Sequence, residues 1–86
     1  MPWKVEFEKH ARKEFLKLGY PIQNKILRYL SEKVKSDPVQ FGKPLKGTLS
    51  GLRRYRVEGY RIVCRIENDT LTVVVVRVAH RSSIYK

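Results

Sequence analysis

Apolar residues along this chain keep two different rhythms. From Trp3 to Phe7 they alternate with charged ones, the period of a half-buried strand. From Glu8 to Leu18 the spacing widens. Ala11, Phe15 and Leu18 fall on one side of a helix, while Lys9, His10, Arg12, Lys13 and Lys17 take the other, and Gly19 closes it. Tyr20-Pro21 opens a second helix carrying Ile22, Ile26, Leu30 and Val34, which runs to about Ser36 and stops at Asp37-Pro38. Val39 to Ser50 reads as a loop rich in Gly, Pro and Lys. The period then returns to two. Leu52–Val57, Tyr60–Glu67 and Leu71–Ala79 are predicted strands, joined by tight turns at Glu58-Gly59 and Asn68-Asp69.

Short turns make these three strands antiparallel neighbours. A strand, two helices and three strands predict an α+β fold: an antiparallel helix hairpin packed on a mainly antiparallel four-stranded sheet, β-α-α-β-β-β. In the middle hairpin strand Tyr60, Ile62, Cys64 and Ile66 share one side, and Arg61, Val63 and Arg65 the other. Strict alternation in the last strand groups Val74, Val76 and Val78 against Val73, Val75, Arg77, Ala79 and Arg81. The apolar sides are expected to face the helices and the arginines to open together on the far face.

Eighty-six residues make one domain, 1–86, with one modest core. The net charge of +11 exceeds what solubility requires and points to a polyanionic partner. Nine of the ten lysines precede Gly47, and seven of the nine arginines follow Leu52. The planar guanidinium fork fits phosphate, so this segregation places the anion-binding surface on the sheet. The acids after Leu52, Glu58, Glu67 and Asp69, fall at turns. Phosphate-binding candidates are Lys43, Lys46, Arg53, Arg54, Arg56, Arg65 and Arg77. The lone Cys64 is a small core residue of a chain suited to the reducing cytoplasm. No signal peptide and no bilayer-length apolar run is expected, hence no membrane partner.

Scattered acids, one cysteine and two histidines offer neither a two-metal nor a zinc site, so no metal or other cofactor is expected. Ser82 and Ser83 lie near His80 without an acidic orienter or a nucleophile turn. RNA cleavage through the ribose 2′-hydroxyl fits better. It asks for in-line positioning, charge stabilisation and two proton transfers. His80, Arg81, Tyr85 and Lys86 put the required side-chain types close together.

The order of elements resembles a known family. So do Gly42-Lys43-Pro44-Leu45, Leu49-Ser50-Gly51-Leu52, Gly59-Tyr60-Arg61-Ile62-Val63 and Val78-Ala79-His80-Arg81 through Ile84-Tyr85. Over essentially its whole length the chain resembles the RelE toxins of type II toxin–antitoxin modules. That resemblance implies a RelE-like fold and a metal-free endoribonuclease that cuts mRNA in the ribosomal A site. It also implies a cognate antitoxin, with operator DNA met only through the toxin–antitoxin complex. Residue by residue it implies that Arg61 holds the scissile phosphate, that Arg81 acts at the leaving group and that Tyr85 stacks on the nucleotide. The family carries lysines, one proposed as general base, on the strand before Gly-Tyr-Arg. This chain has Arg53-Arg54-Tyr55-Arg56 there, and arginine holds its proton too tightly for that role. His80 is the candidate substitute. The alternative in the same superfamily is a ParE-like inhibitor of DNA gyrase without nuclease activity.

Overall fold

The computed structural model describes residues 3–45 and 51–80. Strand β1 (Lys4–Phe7) leads into helices α1 (Lys9–Leu16) and α2 (Tyr20–Tyr29). A short helix α3 (Pro38–Phe41) and a two-residue strand β2 (Lys43–Pro44) follow, then β3 (Leu52–Val57), β4 (Tyr60–Glu67) and β5 (Thr72–His80). The fold is α+β, as the periodicity predicts, with β2 as a fifth strand. The sheet order is β1-β5-β4-β3-β2. Only β1 and β5 are parallel, and the other neighbours are antiparallel. Among the described residues no helix is long and apolar enough to cross a membrane.

The second helix solves a mismatch of periods. Apolar residues every fourth position, from Ile22 to Val34, drift by about 40° per step on an α-helix of 3.6 residues per turn. From Leu30 to Val34 the chain becomes a π-helical turn, with Lys35 N–H donating to the Leu30 carbonyl at 2.9 Å. The wider turn returns Val34 to the core side, where it and Leu30 are both buried.

Asp37 then stops the helix and caps the next one, its Oδ1 accepting from the Gln40 N–H at 3.1 Å, with Pro38 in the first turn. The stretch expected to be loop throughout therefore holds a helical turn and a strand. The strand forms because Lys43 and Pro44 pair with Arg54 and Arg53 at the sheet edge, where a proline costs no ladder bond.

The core lies between the helices and one face of the sheet. Ala11, Phe15, Ile26, Leu30 and Val34 meet Tyr55, Val57, Ile62, Cys64, Val73, Val75 and Val78. Phe7 and Phe15 pack ring to ring at 5.1 Å.

Strict alternation fails in β5. Val63 pairs with Arg77 but Cys64 pairs with Val75, so Val76 is an extra residue, a β-bulge. The bulge shifts the face by one position. Val73 and Val75 therefore share the helix side with Val78, against the predicted grouping with Arg77. Without it, burying Val78 would turn Val73 and Val75 outward.

The turn at Glu58-Gly59 has positive φ at both residues, 52° and 82°, the hairpin geometry whose twist matches the strands. Lys25 of α2 pairs with the Glu58 carboxylate at 3.3 Å. The β4–β5 connection is wider than the predicted Asn68-Asp69 turn, running from Asn68 to Leu71. Leu71 adopts a φ of 49° and donates to the Asn68 carbonyl at 3.3 Å.

Candidate anion-binding face

The face of the sheet away from the helices gathers cations by register. Arg56 stands directly across from Arg61, and Arg54 across from Lys43 on one side and Val63 on the other. Arg54 and Arg56 lie two positions apart on one strand, so both project to the same side. Among the described residues no carboxylate pairs with Lys43, Arg54 or Arg56. Like charges directly opposite one another oppose sheet formation. Lys43, Arg54 and Arg56 on this face therefore suit an anionic partner.

The other expected phosphate binders divide by structural role. Arg53 projects to the helix side, with its Nη2 donating to the Gly42 carbonyl at 2.7 Å. Beside it the Tyr55 hydroxyl donates to the Pro38 carbonyl. Desolvation by burial, with Cys64 adding to it, pushes that hydroxyl well above its ordinary range, while Arg53 pulls the other way more weakly. Gly42 permits the contact, because a Cβ there would lie 2.8 Å from the Tyr55 ring. Arg53 and Tyr55 thus pin the segment that carries Lys43 beside Arg54.

Arg65 and Arg77, expected to open on the far face, both have carboxylates nearby. Arg65 Nε meets Glu67 at 3.0 Å, and its Nη1 lies 3.7 Å from Glu8. Arg77 Nε lies 3.5 Å from Glu14, whose other oxygen accepts from the Val78 backbone N–H at 2.8 Å. The linear sequence hides these pairs because Glu8 and Glu14 belong to the helical half. Glu14 did carry a signal. It stands three residues after Ala11 and four before Leu18, on the border of the apolar stripe.

Arg61, expected on an open face, is 6 % exposed. It sits across from Ala79, and the next pair along the ladder is Tyr60 with His80. Successive residues alternate sides, so His80 projects to the face opposite Arg61. Its ring packs edge-on to Tyr60 at a centroid distance of 5.1 Å. The strand pair therefore does not bring His80 and Arg61 together on one face. Lys46, Arg81 and Tyr85 lie outside the described residues.

Tyr29 of α2, beside the apolar stripe, joins the site. Helix α2 crosses β3, and the Tyr29 ring packs edge-on against Tyr55 with centroids 6.3 Å apart. Burial raises its hydroxyl pKa. Two depressions adjoin these cations. One of about 130 Å³ is lined by Tyr29, Lys43, Arg54 and Arg56. Another of about 170 Å³ is lined by Arg56, Gly59, Tyr60 and Arg61. Among the described residues no three of His, Cys, Asp or Glu gather as metal ligands would.

Known proteins share both the sequence and this architecture. Residues 5–85 match the family described as the ParE toxin of the type II toxin–antitoxin system, parDE. Toxin RelG of Mycobacterium tuberculosis is 35% identical over 86 residues, spanning 100% of this chain and 99% of its own. In the crystal structure of the toxin–antitoxin complex RelBE2 from the same organism, one chain superposes with a TM-score of 0.87 at 33% identity, over 94% of this chain and 100% of that one. The isolated RelE toxin of E. coli superposes with a TM-score of 0.76 at 25% identity, over 96% of this chain and 90% of its own. A match that runs through nearly every element of the fold leaves one assignment: the chain belongs to the ParE toxin family of type II toxin–antitoxin systems, within the RelE/ParE superfamily.

Proposed function

We propose that this toxin is a ribosome-dependent, metal-independent endoribonuclease that cuts mRNA in the decoding A site and is neutralised by a cognate antitoxin. The observation that carries this reading is the cross-strand pair Arg56–Arg61 with Arg54 and Lys43 beside it. Four cations converge on one side of the sheet, with no acid pairing Lys43, Arg54 or Arg56 among the described residues.

In the proposed reaction the 2′-oxygen bonds to phosphorus as the 5′-oxygen leaves, giving a 2′,3′-cyclic phosphate. One proton departs from the 2′-hydroxyl and another reaches the leaving oxygen. Negative charge grows on the phosphoryl oxygens, and fixed guanidinium groups stabilise it most where water is excluded. Arg61 has that environment, being nearly buried. Arg81 and Tyr85 enter through the family pattern, at the leaving oxygen and on the base. His80 reaches such a phosphate only around the end of β5. That makes it a weaker candidate for the proton acceptor than the sequence alone suggests.

Purified toxin is expected to cut mRNA on translating ribosomes and not free mRNA. Arg61→Ala or Arg81→Ala should abolish cutting while the far-ultraviolet circular dichroism is retained. Full cleavage and toxicity in Arg81→Ala would sink the proposal. The ParE description of the matching family favours a second reading, a gyrase inhibitor without nuclease activity. Induction in cells separates the two. Loss of translation with mapped mRNA ends supports the nuclease, whereas gyrase-linked DNA breaks with intact mRNA support the inhibitor.

A further inference from the structure

We infer that Glu14 of α1 is a positioning residue for Arg61: by holding the outer edge of β5 it fixes where the β5 bulge sits and keeps Ala79 opposite Arg61. The inference rests on the ribonuclease reading, in which Arg61 holds the scissile phosphate.

Strand β1 accompanies β5 only as far as Val75, where the Glu8 N–H donates to the Val75 carbonyl at 2.9 Å. Beyond that point α1 lies along β5, and among the described residues no strand does. An edge amide there has no ladder partner, and Glu14 supplies one. Its Oε1 accepts from the Val78 N–H at 2.8 Å. Its other oxygen lies 3.5 Å from Arg77 Nε and 3.6 Å from His10 Nε2. Arg77 and His10 are exposed, so those pairs are worth little by themselves. The bond to Val78 has a charged acceptor on a half-buried side chain, so this contact sets the geometry.

The anchored residue lies just past the bulge. Val63 pairs with Arg77 and Cys64 with Val75, which leaves Val76 over. Val73 to Val76 are identical, so their side chains do not choose which of them is the extra one. Glu14 does, by holding Arg77 and Val78 in register with a helix whose Ala11 and Phe15 are anchored in the core. One step further, Ala79 stands across from Arg61. A slip of one residue would put Val78 or His80 there and turn the side chains beyond the bulge to the other face. Both are bulkier than Ala79 and Arg61 is nearly buried, so the guanidinium would be driven from its place.

The test compares Glu14→Ala and Glu14→Gln with Val34→Ala, a core truncation outside α1 and β5. All three full-length variants are assayed well below their unfolding midpoints. On programmed ribosomes Glu14→Ala is expected to lower kcat by about ten- to a hundredfold with KM little changed, the cost of a reacting group displaced by about 1 Å. Glu14→Gln keeps an oxygen for the Val78 N–H and should retain most of kcat. Val34→Ala should keep the wild-type kcat. In magnetic-resonance spectra of chain carrying isotope-labelled arginine, the Arg61 Nε–H signal should shift or broaden in Glu14→Ala and stay in place in the other two. A wild-type kcat with an unmoved Arg61 signal in Glu14→Ala overturns the inference. So does an equal loss of kcat in Val34→Ala, which would make instability the cause, or in Glu14→Gln, which would take the Val78 bond out of the account. Should the wild-type chain itself leave ribosomal mRNA intact, the nuclease reading fails, and the Arg61 signal alone decides whether Glu14 holds that side chain in place.

Discussion

Replacing Arg56 by glutamine should stabilise the free protein while weakening its hold on RNA. Arg56 and Arg61 are directly opposed across β3 and β4. Side chains in such a pair start about 5 Å apart. At that distance two unit charges repel by about 0.8 kcal/mol in water and about 3 kcal/mol at an effective dielectric of about 20. Cross-strand side-chain pairs in sheets are worth about 0.2–1 kcal/mol, and a like-charge pair is taken to cost a similar amount, since side chains splay and solvent screens. Arg61 is 6 % exposed, which moves this pair to the upper end of that range. A gain of about 1 kcal/mol corresponds to a rise of about 4–8 °C in Tm for a domain of this size. The assay is thermal unfolding followed by circular dichroism, in about 20 mM and about 1 M salt. In 1 M salt the Debye length shrinks to about 3 Å, so the gain should largely vanish. RNA binding by the same variant should fall, with a salt slope shallower by about 0.7. A Tm at low salt equal to or below that of the natural chain refutes the reasoning. A gain that persists undiminished in 1 M salt does so too, since it would then come from packing rather than charge.

Gly42→Ala should destabilise by about 1–3 kcal/mol, as overpacking does, because the new methyl meets Tyr55 ring atoms at 2.8 and 2.9 Å. In a Tyr55→Leu background the same change should cost far less, and equal costs in the two backgrounds, read by urea unfolding, would contradict this account. Glu14→Ala should cost about 1–3 kcal/mol by leaving the Val78 N–H without its acceptor, whereas Glu14→Gln keeps an oxygen there and should cost a fraction of that. Equal losses in denaturant midpoint would show that the carboxylate charge matters more than the hydrogen bond. Burial pushes the Cys64 thiol from its ordinary 9.0 up to about 12. Its contribution to stability is then fully present below pH 9 and lost as the pH rises toward 12, because the unfolded chain releases the proton first. The slope is at most about 1.4 kcal/mol per pH unit and should shrink in Cys64→Ala, as judged by urea midpoints at several alkaline pH values.

What the sequence disclosed and what it hid follow from the range of the interactions. The first two helices, four of the five strands and the Glu58-Gly59 turn are local patterns, and each was legible from spacing alone. The β5 bulge was not, because four valines in a row, Val73 to Val76, carry no period. Whether Val73 or Val74 faces the core is decided by pairing with Cys64, Val63 and β1, all distant in the chain. The strand Lys43–Pro44 was hidden for the same reason, since it exists only as a partner to Arg54 and Arg53. The site shows the limit most clearly. Counting arginines after Leu52 pointed to the sheet but treated its members alike. Tertiary contacts sort them: Arg53 into a structural hydrogen bond, Arg65 and Arg77 into pairs with carboxylates drawn partly from β1–α1 and α1, and Arg54, Arg56 and Arg61 into one cationic group. Tertiary contacts also bring Tyr29 of α2 against Tyr55 and beside the cations. A residue's type thus announces what it can bind. Whether it is available to bind depends on which distant acid, carbonyl or ring reaches it first, and that is a property of the packed helix–sheet layers rather than of any stretch of chain.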